Sequence, residues 1–203
     1  MKLFLSAFLI GLAVFIGFKA NAQEKKMVNK NAKALVVYFS RTGEQYGVGN
    51  ITKGNTAYVA DEIAAQTGAD LFEIKLKNDA YPAAYKALTE VALAEKKQNA
   101  RPEIAGGVAN FADYETVFVG TPNWWADMPM AVYTFLESHD FKGKTVAVFV
   151  THEGSGYSSI PSKVQTTTGA DITEALAVAG HTAQNDRAET KKQVSDWLKK
   201  IGF

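Results

Sequence analysis

Among its 203 residues the chain has no cysteine. That absence removes disulfides, thiolate-held zinc and cysteine nucleophiles together, and it leaves a chain that tolerates an oxidising compartment without mispairing. Charge of one sign is also scarce as a block: 22 basic residues face 21 acidic ones, a formal net charge of +1. Nothing in that balance favours nucleic acid or an anionic membrane surface. The phosphate loop of nucleoside triphosphatases, Gly-x-x-x-x-Gly-Lys-Ser/Thr, does not occur, nor does an internal repeat or a low-complexity tract. With 47% hydrophobic and 21% charged residues, the composition excludes a disordered or collagenous chain. There is a single long apolar run, and it lies at the start.

That run, Leu3 to Phe18, follows Lys2 and precedes the small triplet Ala20-Asn21-Ala22. The pattern predicts a cleavable secretory signal over residues 1–22, cut after Ala22. The run is slightly short for a membrane span, so no stable anchor is expected after cleavage, and the mature protein is expected to be exported, periplasmic or secreted. No twin arginine precedes the run, which points to threading of an unfolded chain and to any cofactor being loaded outside the cytoplasm. Loss of Lys2 and Lys19 moves the formal charge from +1 to −1. Residues 23–32 read as a polar spacer and 33–203 as one domain, long enough to bury a sizeable core.

The domain alternates two kinds of segment. Continuous apolar, β-branched runs at Ala34 to Ser40, Asp70 to Leu76, Thr116 to Thr121 and Thr145 to Thr151 predict strands buried on both faces, and Glu174 to Val178 a fifth, less marked one. Between them, Val59, Ala60, Ile63 and Ala64 repeat at helical spacing from Asn55 to a stop at Gly68. Further helices are predicted over Pro82 to Lys97, after Pro129 through Val132, Phe135 and Leu136, near Ser158 to Thr167, and at the end through Val194, Trp197, Leu198 and Ile201. Such alternation requires crossovers over a parallel sheet, a three-layer α/β sandwich. In that architecture ligands bind beyond the carboxyl ends of the strands, here after Phe39, Gly120 and Val150.

Three segments occupy those positions. In "SRTGEQYGVGNITKGNT", Ser40, Thr42 and Gly43 place two hydroxyls and a flexible turn at a strand end, and Asn55 and Thr56 stand where they would cap the next helix. Neutral donors beside a helix N-terminus suit a phosphate monoester, although the same residue types also build an ordinary strand-to-helix turn. In "GTPNWWADMP", Trp124 and Trp125 cannot both enter the core from one short loop, so one is expected to face a ligand or the surface. In "THEGSGYSSIP", Gly154 and Gly156 let backbone approach a ligand, while His152 and Glu153 are titratable groups that equally serve as local hydrogen-bonding residues.

"VVYFSRTG" followed by "GNT", "VGTPNWWADMP" and "FVTHEGSG", in that order after the right strands, together resemble the flavodoxin-like family, in a form with an extended phosphate loop. The resemblance spans nearly the whole mature chain and implies a five-stranded parallel sheet of order 2-1-3-4-5 with FMN bound non-covalently. By position it assigns Ser40, Thr42, Asn55 and Thr56 to the phosphate, with Gly43 shaping the turn. It assigns Pro122, Asn123, Trp124 and Trp125 to the ring, and Thr151, Glu153, Gly154, Ser155 and Gly156 to its far edge. The insertion Glu44 to Gly54 departs from the family pattern and puts the geometry of that loop in question.

The expected function is that of an exported FMN redox protein, an electron carrier for an unidentified redox partner or an NAD(P)H-driven reductase of small oxidants such as quinones. The near-neutral charge favours the reductase over a carrier that docks on basic partners. A non-catalytic flavin- or phosphate-ester-binding module of the cell envelope is the alternative. A serine hydrolase at Ser155 is disfavoured, because "EGSGY" is not Gly-x-Ser-x-Gly and His181 shows no paired acid in the sequence. Covalent flavin attachment at "TTTGADIT" is disfavoured by Asp171, which stands where the acceptor hydroxyl is required.

Overall fold

A computed structural model describes residues 27–30 and 32–203; the predicted signal segment lies outside the described residues. The chain folds as β1 (Ala34–Tyr38), β2 (Gly43–Gln45), β3 (Gly49–Ile51), α1 (Asn55–Thr67), β4 (Asp70–Glu73), α2 (Tyr85–Gln98), β5 (Thr116–Pro122), α3 (Met130–Glu137), β6 (Thr145–His152), α4 (Ile160–Thr168), β7 (Asp171–Ile172), β8 (Leu176–Ala179), α5 (Gly180–Asn185) and α6 (Arg187–Ile201). A short 3-10 turn at Phe111–Asp113 precedes β5. Among the described residues no helix is long and apolar enough to cross a membrane.

The central sheet is parallel, in the order β4-β1-β5-β6-β7, with β8 also paired to β6. The inner strands β1, β5 and β6 are apolar through their middles because each has two cores to fill, whereas the edge strands β4 and β7 begin with exposed Asp70 and Asp171. Leu35, Val37, Val117, Val119, Val146, Val148 and Val150 enter the layer covered by α2, α3 and α4. The alternate residues Val36, Tyr38, Phe118, Ala147 and Phe149 enter the layer covered by α1, α5 and α6. At about 1.5–3 kcal/mol for each fully buried large aliphatic or aromatic side chain, these two layers supply the driving force.

The fifth strand is not the continuous segment Glu174 to Val178 expected from the sequence. It is broken in two: Asp171 and Ile172 pair with Thr145 and Val146, and Leu176 to Ala179 with Phe149 to His152. Between these stretches the edge strand spends three residues where β6 spends two, so Thr173 to Ala175 form a bulge. Trp197 Nε1 donates to the bulged Glu174 carbonyl at 2.6 Å, anchoring it to α6. Helix boundaries also move. The second helix starts at Tyr85 rather than Pro82, and the fourth at Ile160 rather than Ser158. The spacer is partly docked: Val28 is buried, and its amide donates to the Ile201 carbonyl at 2.7 Å.

Candidate functional site

The order of the sheet reverses at β1, whose chain neighbour β4 lies on one side and β5 on the other. The three segments singled out in the sequence leave the carboxyl ends of β1, β5 and β6 at that point. Between them lies a cavity of about 330 Å³, whose walls include Asn55, Pro122, Asn123, Trp124, Trp125, Thr151, Glu153 and Ser155.

The interrupted first segment closes on itself. Residues of the insertion pair as an antiparallel hairpin, Gly43 with Ile51 and Gln45 with Gly49, which returns the chain to its starting point. Gly54 then packs so tightly on Ser40 and Arg41 that a Cβ there would lie 2.1 Å from Ser40 Oγ and 2.5 Å from the Arg41 carbonyl oxygen. At the other end Gly43, with φ +90°, lies against Ala83, and the Glu44 amide donates to the Ala83 carbonyl at 2.9 Å. The Glu44 carboxylate accepts from the Tyr85 amide at 2.8 Å, fastening the hairpin to the start of α2.

The cap of α1 differs from the expected one. Gly54 is the N-cap and offers no side chain, while Asn55 and Thr56 are already in the first helical turn. Ser40 Oγ, from across the loop, accepts from the Ala57 amide at 3.1 Å. The amides of Asn55 and Thr56, in the first turn, have no intrahelical acceptor. Asn55 Oδ1 is held by Gln184 Nε2 at 2.8 Å, and the buried Thr56 hydroxyl meets that of Thr151 at 2.7 Å. Thr42 is exposed, and its carbonyl accepts from Gln45 at 3.4 Å. The Arg41 guanidinium pairs with Asp79 at 2.5 Å and donates to the Tyr81 carbonyl at 3.0 Å, while its buried Nε has no partner among the described residues. Replacing Ser40 with Ala should cost about 1 kcal/mol through loss of this cap, lowering the midpoint of thermal unfolding by about 2–4 °C; an unchanged melt would remove Ser40 from the capping role.

The tryptophan loop resolves as its two residues require. Trp124 turns inward, edge-to-face on Phe39 and Tyr81 at 5.6 Å each, whereas Trp125 stays 49% exposed. Trp124 and Asp127 exchange backbone hydrogen bonds of 2.8 and 3.1 Å around Trp125 and Ala126, whose φ angles are 57° and 59°. Two non-glycine residues with positive φ in one tight turn carry strain of about 1–3 kcal/mol each, a condition that clusters at ligand sites. Three bonds hold it: Trp125 Nε1 donates to the Thr89 carbonyl at 3.0 Å, Lys96 to the Trp125 carbonyl at 2.6 Å, and Ser159 to the Ala126 carbonyl at 3.2 Å. Asp127, which the sequence reading did not single out, is buried behind the turn. It accepts from the Met128 amide at 2.9 Å and the Tyr133 hydroxyl at 3.0 Å, and pairs with Lys163. Burial, with the Asp127 charge second, holds the Tyr133 phenol well above its ordinary pKa.

The second and third loops are tied by Asn123, whose Nδ2 donates to the Gly156 carbonyl and to Ser158 Oγ, both at 2.9 Å. Gly154 and Gly156 take φ of +96° and +60°, with open space where a Cβ would stand. Ser155 is exposed. The Glu153 carboxylate, although at the cavity wall, accepts from the His181 amide at 2.7 Å and meets His181 Nδ1 at 2.8 Å. His181 therefore has an acid partner after all, supplied by tertiary structure. Among the described residues no hydrogen bond links Ser155 Oγ to either histidine, so no nucleophile relay forms. The segment "TTTGADIT" sits at the opposite edge of the sheet, where Asp171 pairs with the first residue of β6. Seven strand residues separate it from His152, roughly 23 Å at about 3.3 Å each.

Burial holds the His152 imidazole below its ordinary pKa, with Glu153 pulling it up and His181 pushing it down. Its Nδ1 accepts from the Gly154 amide at 3.0 Å, which leaves the ring proton on Nε2. An unfolded histidine titrates near ~6.5, so the unfolded chain binds the extra proton first. This contribution to stability is therefore complete above about pH 6.5 and is lost as pH falls through the lower native value. Thermal melts from pH 7.5 to 5 should show a decline that His152→Gln reduces; an identical slope in the variant would assign the acid loss elsewhere.

A parallel sheet whose order reverses at β1, with a cavity beyond the carboxyl ends of the strands at that reversal, defines a doubly wound α/β protein of the flavodoxin-like class. The flavodoxin family profile matches residues 33–201, and the chain belongs to that family, whose cofactor is FMN. A candidate flavoprotein from Bacteroides eggerthii DSM 20697 is 28% identical with a TM-score of 0.66, over 85% of this chain and 99% of its own. A second from Bacteroides uniformis ATCC 8492 is 28% identical with a TM-score of 0.64, over 83% and 99%. A flavoprotein of Lactobacillus acidophilus NCFM, solved in complex with FMN, shares the fold at 22% identity and a TM-score of 0.56, over 73% and 92%. Comparison with curated proteins finds no match.

Proposed function

We propose that the protein is an exported FMN redox protein that passes electrons to small oxidants such as quinones. The observation that carries this reading is the 330 Å³ cavity between the three strand-end loops, which sets the tryptophan turn, suited to a flat ring, beside Asn55 at the start of α1; Ser40 and Thr42 line an adjoining recess with Arg41. The uncommitted first-turn amides of α1 and the hydroxyls of Ser40 and Thr42 would hold the phosphate as neutral donors, without a metal or lysine. Thr56 and Thr151 would stiffen the floor, and Pro122, Asn123 and the tryptophan turn would set the plane of the ring. Gly154, Ser155 and Gly156 would close its far edge with backbone, while Glu153 braces that loop against α5. When bound, FMN supplies the electron chemistry, and the protein supplies orientation, exclusion of water and tuning of potential. An aromatic, weakly charged pocket disfavours added negative charge on the ring and lowers its potential. Export rests on the sequence pattern of residues 1–22.

The test is the visible absorption spectrum of protein purified from the exported fraction. A structured flavin spectrum, with FMN released on denaturation, is expected. A colourless protein that also takes up no added FMN would sink the proposal, and FMN-loaded protein found only in the cytoplasm would remove its exported part.

A further inference from the structure

A second chamber of about 180 Å³ adjoins the larger cavity and is more enclosed. It lies between the hairpin, α2 and the tryptophan turn, with Gln45, Tyr85, Leu88, Ala92, Trp124 and Trp125 among its walls. The two spaces share Gln45, Tyr85, Asn123, Trp124 and Trp125, so a molecule in one stands beside a molecule in the other. The sequence insertion closes it: Glu44 binds the amide of Tyr85, and Tyr46 lies with its ring 5.7 Å from that of Tyr85.

Three properties define what fits. First, none of the lining side chains is charged, unlike the larger cavity with Glu153, so a charged ligand would be desolvated without compensation. Second, the volume equals roughly six waters at about 30 Å³ each, room for one or two fused rings but not for a nicotinamide dinucleotide. Third, the walls are flat rings held in place, Trp124 by Phe39 and Tyr81 and Trp125 by its bond to Thr89. The polar side chains are unequal. Asn123 Nδ2 already has two acceptors at 2.9 Å, but among the described residues Gln45 Nε2 has only the Thr42 carbonyl at 3.4 Å, a long bond that a ligand oxygen can replace.

We propose that this chamber is the subsite for the electron acceptor. It binds a neutral, planar, one- or two-ring carbonyl compound of the quinone type, stacked among Tyr85, Trp124 and Trp125 with one carbonyl oxygen on Gln45 Nε2. The inference rests on the larger cavity holding FMN, and it gives the insertion Glu44 to Gly54 a purpose, since Gln45 and the clamp on Tyr85 both come from it.

The experiment is calorimetric titration of the FMN-loaded protein with 1,4-naphthoquinone, a probe usable here because the chain has no thiol to add to it. Saturable binding is expected. Gln45→Leu should weaken it about five- to tenfold, the loss of one neutral hydrogen bond, and Ala92→Phe, which fills the chamber, should weaken it by more than about tenfold. FMN affinity should stay within about twofold in Ala92→Phe, because Ala92 lines the chamber and not the larger cavity. Naphthoquinone affinity unchanged in both would overturn the assignment. So would loss of FMN from a folded Ala92→Phe protein, which would make the chamber part of the cofactor's own cavity. A wild-type protein that takes up FMN but no naphthoquinone overturns this proposal alone, whereas one that takes up no FMN overturns the functional reading as well.

Discussion

Gly54→Ala should abolish tight FMN binding, lowering affinity by about 100-fold or more, while costing about 2–3 kcal/mol of stability. Gly54 needs no unusual dihedral, with φ −69° and ψ 152°, so the penalty is purely one of contact. The added methyl would sit 2.1 Å from Ser40 Oγ, 2.5 Å from the Arg41 oxygen and 2.9 Å from its nitrogen. Two of these are backbone atoms, so the loop must part from the start of α1 rather than a side chain turning aside. Parting them separates the hydroxyls from the first-turn amides, and each hydrogen bond to a charged phosphate is worth about 1.5–3 kcal/mol. Equilibrium dialysis with FMN, alongside urea unfolding of the apoprotein, measures both effects. Gly107→Ala, where the methyl meets nothing within 4 Å, is the control and should change stability by less than about 0.5 kcal/mol. An FMN affinity in Gly54→Ala equal to that of the control would mean the phosphate binds elsewhere.

The second large effect lies one step below the cavity floor. Gly120→Ala should destabilise the fold by about 3 kcal/mol, or about 6–12 °C in melting temperature. Its Cβ would stand 2.1 Å from Phe149 Cζ and 2.4 Å from Cε2, in the register where Gly120 faces Phe149 on the adjacent strand. Phe149 is fully buried, so its ring has nowhere to retreat in a close-packed core. The double variant Gly120→Ala/Phe149→Leu should recover much of the loss, and the coupling in that cycle isolates the clash. Additive losses would place the cost of Gly120→Ala in the backbone instead.

Much of the fold was legible because its signals are local. Ala34 to Phe39, Val117 to Val119 and Val146 to Val150 are apolar at every position because both faces are covered, and that pattern survives any detail of packing. The edge strand was misjudged because one extra residue at Thr173 to Ala175 shifts the alternation, and the Trp197 bond that holds the bulge comes from α6. The three strand-end segments were visible as motifs, but the work of individual residues within them was not. Asn55 and Thr56 looked like a cap, yet Ser40 provides it from 17 positions away. Glu153 and His181, 28 residues apart, carry no sign of each other in the sequence. Asp127 gave no signal, because its partners Lys163 and Tyr133 meet it only once α3 and α4 are packed.

Alternating hydrophobic pattern, turn chemistry and motif order by themselves determined the class of fold, the family resemblance and the end of the sheet where ligands bind, since each depends on residues near one another in the chain. Only the tertiary structure decided whether "SRTG" and "GNT" make one site. The hairpin of Gly43 to Ile51 brings Gly54 back onto Ser40 and Arg41, and no local rule states the path of an insertion. The same closure carries Gln45 and Tyr46 to the cavity wall. Their role depends on Tyr85 and Trp125, which reach the site from other elements, and only packing brings such groups within a few ångströms.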